Sequence, residues 1–145
     1  MDWPSQYDLV MVLNLAIILG SVLILWLVSI PLRDVSIIDM AFALILLGVT
    51  YCSYQLGDGE VARKNIILIL VTIWSLRITW HLVRRNWGNG EDARYSKLRS
   101  WVDNDRTFIW LSLSKVFLLQ GVVLWLVSLP VQIALIFEPP LQLGW

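Results

Sequence analysis

Long, nearly uncharged apolar runs recur four times along this chain, and they leave few folds open. A helix rising 1.5 Å per residue needs roughly 17–25 apolar residues to cross a hydrocarbon core of about 30 Å. Residues 9–32, 35–56, 66–83 and 108–137 each supply such a length. The runs are continuous rather than alternating, which argues against strands and against a barrel. Hydrophobic residues make up 58% of the sequence and charged residues 15%, against about 45–50% and about 25% in soluble domains. The expected fold is all-α: an integral membrane bundle of four transmembrane helices, with residues 1–145 forming a single transmembrane domain.

The connections between the runs differ in kind. Arg33-Asp34 allows only a tight hairpin between the first two spans, and Gly57-Asp58-Gly59-Glu60 reads as a turn. Residues 84–107 form the one sizeable polar loop. Orientation follows from lysine and arginine on the two sides. Arg33, Arg84, Arg85, Arg94, Lys97, Arg99 and Arg106 fall on the loop side, against Arg63 and Lys64 on the other. That bias is expected to place the N-terminus outside and the loop in the cytoplasm. The N-terminal MDWPSQYDLV has no basic flank of the kind a signal peptide carries, so the first span is expected to be retained. Trp80, Trp87, Trp101 and Trp110 sit near span ends, where indole rings anchor at the interface. Pro31 is expected to end the first span and Pro130 to kink or end the fourth. The similar segments LWLVSIP (25–31) and LWLVSLP (124–130) differ in their flanks and read as coincidence in a Leu/Val-rich chain.

The basic residues lie at a membrane edge, where lipid phosphates rather than nucleic acid are the expected anions. A single cysteine, Cys52, rules out an internal disulfide, and a single histidine, His81, rules out a histidine-based metal site. No metal is expected.

Chemistry concentrates between Trp74 and Arg99, in WSLRITWHLVRRNWGNGEDARYSKLR. Asp39 lies about one turn inside the second span, where a carboxylate is costly and needs a partner. Arg77 in the third span is the expected partner, as a structural ion pair or as part of a site. Trp74, Arg77, His81, Arg84 and Arg85 share one helical face by their spacing. Arginines converging at a helix end suit a phosphate, from a cofactor or a lipid headgroup. Gly88-Asn-Gly-Glu-Asp-Ala-Arg-Tyr95 reads as a tight turn followed by a short helix. Glu91 and Asp92 are expected to accept from Arg84, Arg85 or Arg94 and lock the loop to the helix end. It is neither a dinucleotide fingerprint nor a phosphate-binding P-loop.

RDVSIIDMAF, WSLRITWHLVRRNWGNGEDARYSKLR and VFLLQGVVLWLVSLP together resemble, over about residues 25–130, the amino-terminal half of a bacterial steroid 5-alpha-reductase-like membrane family. That family's function is poorly defined, and it is grouped with sterol reductases and isoprenylcysteine methyltransferases by a shared helical architecture. Its members are about twice this length and carry an Arg-His-Pro-Asn-Tyr-type signature near the C-terminus, in the half expected to build most of a nicotinamide pocket; this sequence contains no such motif. The resemblance implies a truncated or half-length member, part of an NADPH-dependent reductase of a lipophilic enone. Asp39, Arg77, Glu91, Asp92 and Tyr95 are then the candidate catalytic residues, and Arg84, Arg85 and Arg94 the candidates for a cofactor phosphate or lipid headgroup. The alternative is a non-enzymatic membrane protein binding lipid or a partner, or a degenerate remnant. Methyl transfer from S-adenosylmethionine ranks last. Expected partners are membrane lipids, a second copy, or a separate subunit supplying further helices.

Overall fold

The computed structural model describes residues 6–86, 88 and 90–137. It is helical, with no strand among those residues, and four of its helical stretches are long and apolar enough to span a membrane. α1 covers Gln6–Leu32, α2 Ile37–Leu56 and α3 Val61–Asn86. A short α4, Ala93–Arg99, lies within the polar loop. The last span is one continuous stretch: α5 (Asp105–Ser112), a π-helical segment (Leu113–Leu118) and α6 (Leu119–Ile136).

The spans therefore match the expected ones with shifted ends. The third reaches five residues further out at its start and through Asn86 at its end, so part of the expected loop is helix. Its ends are polar, and helix continues past the apolar run because backbone hydrogen bonds gain nothing by stopping at the membrane edge. α1 ends one residue after Pro31, as expected. Pro130 does not end its helix, because α6 runs on to Ile136. Trp80, Trp101 and Trp110 are exposed, whereas Trp87 lies outside the described residues. The EPPLQLGW tail also lies outside them.

α1, α2 and the π–α6 stretch pack together, and α3 leans on the outside of α2 with a lighter contact to α6. The core is Ile18 and Val22 from α1, Ile38, Ile45, Leu46 and Val49 from α2, and Phe117 and Leu124 from the last span. Gly121 lets α6 approach α1, so a Cβ there would sit 3.5 Å from Val22 and 3.8 Å from Ile18. The outward faces stay apolar and exposed, with Leu13, Ile24 and Leu27 on α1 and Ile66, Ile69, Leu70 and Ile73 on α3. Exposed hydrocarbon on this scale suits lipid rather than water as the surrounding medium.

Hydrogen bonds link the three packed helices in the half away from the loop. Asn14 donates to Ser53 Oγ (2.7 Å) and Gln132 Oε1 (2.9 Å), and Gln132 donates to Ser128 Oγ (2.7 Å). All four residues are buried. At that end the Gly57–Gly59 turn folds against the α6 terminus, with Asp58 N donating to Ile136 O (3.2 Å) and Gly59 N to Leu135 O (3.1 Å). At the other end Arg33 alone closes the hairpin in a left-handed conformation, φ 52°. That position follows a helix terminus and usually takes glycine.

Candidate functional site

Asp39, in the first turn of α2, is the hub of the loop end. Its Oδ1 accepts from the Tyr95 hydroxyl (2.9 Å) and from Gln120 Nε2 (2.7 Å), and its Oδ2 accepts from Arg94 Nη2 (2.9 Å). Three elements thus converge on one carboxylate: α2 holds it, α4 brings Tyr95 and Arg94, and α6 brings Gln120. The Asp39 side chain is 13% exposed, so these bonds are mostly shielded from water.

α4 is positioned by its own N-cap. Asp92 Oδ1 accepts from Arg94 N (3.0 Å) and Arg94 Nε (3.0 Å), and Oδ2 accepts from Arg85 Nη2 (3.4 Å). A carboxylate at an N-cap satisfies free N–H groups and opposes the helix dipole favourably. The Arg94 hydrogen bonds hold the Asp92 carboxyl down at about 2, and Asp92 in turn raises Arg94. Burial first, then the charge and hydrogen bond of Asp39, push the Tyr95 phenol well above its ordinary range.

A second clamp lies beside the first. Glu91 accepts from Arg99 at both oxygens (3.0 and 3.1 Å) and from Val35 N (3.2 Å). Arg99 also lies 4.0 Å over the Phe108 ring. The loop is thereby tied to the α1–α2 turn and to α5, and Arg33 pairs with Asp105 (3.0 Å) on the exposed side. Ser36 N and Oγ both donate to Asp34 Oδ1.

The structure brings together Asp39, Asp92, Tyr95, Arg85 and Arg94 among the residues singled out from sequence. Glu91 lies in the adjoining clamp with Arg99 rather than with Arg84, Arg85 or Arg94. Arg77 is not the partner of Asp39. Ser75 is fully buried toward the bundle, and residue 77 lies about 200° further round the helix, so Arg77 points outward. The shared face of Trp74, Arg77 and His81 is real: together with Ile78 they line one cleft of about 290 Å³. Arg84 lies 5.6 Å over the Trp80 ring, away from the loop carboxylates.

Two residues of the site carried no role from sequence. Gln120 was legible as a polar side chain in an apolar span, which needs a partner there. Arg99 enters the sequence reading only among the loop-side charges, and its distance of eight residues from Glu91 has no local signature.

A groove of about 620 Å³ opens beside the hub, lined by Tyr95, Leu98, Trp101, Leu111 and Val116 with Arg94, Lys97 and Lys115. Lys115 belongs to the π segment, a helix irregularity often found at functional sites. The described residues contain no group of three or more metal-ligating side chains. Of the three arginines expected at a phosphate, Arg85 and Arg94 both pair with Asp92, and Arg84 lies over Trp80.

A family model described as a protein of unknown function (DUF1295) matches residues 25–145. No curated protein and no solved structure matches the chain.

Proposed function

The chain belongs to the DUF1295 family, and from that premise we propose that it forms the acid side and the substrate groove of a membrane-embedded reductase of a lipophilic enone. The observation that carries this reading is the place of Tyr95, a phenol that donates to Asp39 (2.9 Å) at the edge of a mostly apolar groove. Reducing an enone requires hydride at the β carbon and an acid that polarises the carbonyl oxygen or protonates the α carbon. Tyr95 is the acid. Its hydroxyl turns about the C–O bond from Asp39 to the substrate oxygen and gives its proton there as hydride adds at the β carbon. The enol so formed returns to the ketone, and water restores the phenol's proton. Asp39 positions the phenol, and Gln120 and Arg94 hold Asp39. NADPH would supply the hydride, held beside the groove by residues other than those of the Asp39 hub. With the N-terminus outside, the groove opens at the cytoplasmic edge, where a lipid-soluble substrate and a soluble cofactor can meet.

The test is NADPH-dependent loss of enone absorbance, with a 4-ene-3-keto steroid as probe, in vesicles of the native membrane, which hold the chain together with whatever binds the cofactor. Turnover is expected, and Tyr95→Phe should lower it by about 10²–10⁴-fold, the usual contribution of a general acid. No turnover, or turnover unchanged in Tyr95→Phe, contradicts the proposal.

A second reading has its own observation. Lys97 and Lys115 flank the same groove, and neither has an ion pair among the described residues. A non-enzymatic module would hold an anionic lipid there. That reading gains if Lys97→Gln with Lys115→Gln strips bound anionic lipid in native mass spectrometry while no vesicle preparation reduces the enone.

A further inference from the structure

Arg77 is a cation inside a membrane span with no hydrogen bond or ion pair among the described residues. It lies nine residues before the end of α3 at Asn86, about 13 Å along the axis. Long side chains near a helix end commonly reach back to the interface. Here the Cα–Cβ direction opposes that escape, because side chains on a helix lean toward its N-terminus. From Arg77 that direction leads away from the nearer, C-terminal end and toward the membrane centre. Meanwhile α3 is the least covered span, with only 6% of its apolar window buried. The cleft at Arg77 is walled by Trp74, Ile78 and His81.

We infer that this face of α3 docks a transmembrane helix of a different protein, one that carries a carboxylate at the depth of Arg77. Charge complementarity decides the occupant. A second copy packed in parallel on this face would set Arg77 against Arg77. Nor do the described residues of this chain offer a carboxylate for the purpose, with Asp34, Asp58, Glu60 and Asp103 in the connections between helices. Asp39 is held by three donors. Glu91 and Asp92 are paired outside the span, and Asp8 and Asp105 belong to the first turns of their helices. Trp74 and His81, one turn to either side of Arg77, would pack around the incoming carboxylate and shield the pair.

The inference rests on the membrane reading alone and survives if the reductase proposal fails. The probe is a synthetic leucine–alanine transmembrane peptide with a single glutamate at the depth of Arg77, compared with its glutamine twin. Energy transfer is measured between the dye-labelled full chain and the labelled peptide in phosphatidylcholine vesicles. The glutamate peptide should associate at least about tenfold more tightly than the glutamine peptide, a difference of about 1.4 kcal/mol. Arg77→Leu should abolish the difference, and Arg77→Lys should keep part of it. Equal association of the two peptides, or a preference that survives Arg77→Leu, overturns the inference. So does efficient self-cross-linking through Ile78→Cys in a Cys52→Ser background, since a second copy would then occupy the face.

Discussion

Asp92 shows how one side chain both ends a loop and starts a helix, and its titration makes that measurable. Its carboxyl sits at about 2 in the folded protein against an ordinary 3.8, chiefly through the hydrogen bonds from Arg94. The folded value is depressed, so the stabilisation is complete above about pH 4 and is lost as pH falls through about 2. Thermal unfolding in detergent micelles should therefore show the wild type losing stability relative to Asp92→Asn across that window. Above it the difference between the two should be flat. At this scale the sequence was readable where interactions are local. The short helix after GED was expected from the turn motif of residues 88–95, and its acidic N-cap is part of that motif. The partner of Asp39 was not readable. Matching Asp39 to Arg77 by depth ignored azimuth, and azimuth is set by which side of α3 carries Ser75 and faces the bundle.

Among the elements, the turn after α2 is the tightest joint. A Cβ on Gly59 would lie 2.5 Å from Leu135 O, and backbone cannot yield as a flexible side chain can. Gly59→Ala should therefore cost roughly 1–3 kcal/mol, the range for overpacking a closed site. Gly48, in the middle of α2, has nothing within 4 Å of the same atom. Gly48→Ala should be neutral or should stabilise by up to about 1 kcal/mol. Paired unfolding titrations in mixed micelles separate the two. Span number and approximate limits were legible because hydrocarbon thickness fixes helix length. The π segment at Leu113–Leu118 was not, because its residues are ordinary helix formers. That irregularity changes the relation between the faces of α5 and α6 and accompanies two distant contacts: Arg99 on Phe108 and Gln120 on Asp39.

On the scale of the whole molecule, polar contacts occur at both ends of the three packed helices. Asn14, Ser53, Gln132 and Ser128 bind them in one half, and the Asp39 hub binds α2, α4 and α6 at the other. Burial of carbon does not hold such helices together in lipid, so hydrogen bonds and close packing must. α3 joins the bundle chiefly through α2, and its outward face carries Arg77. Composition and charge bias were enough to expect a four-span bundle with a basic loop. The convergence of residues 39, 94, 95 and 120 depends on tertiary packing alone. The central claim is that Asp39 docks the loop helix through α4 and not through α3. A double-mutant cycle tests it, using Asp39→Asn with Arg94→Gln and, separately, Asp39→Asn with Arg77→Gln, read by unfolding in micelles. The account predicts a coupling of about 1 kcal/mol or more for residues 39 and 94 and none beyond about 0.3–0.5 kcal/mol for 39 and 77; the reverse order would contradict it.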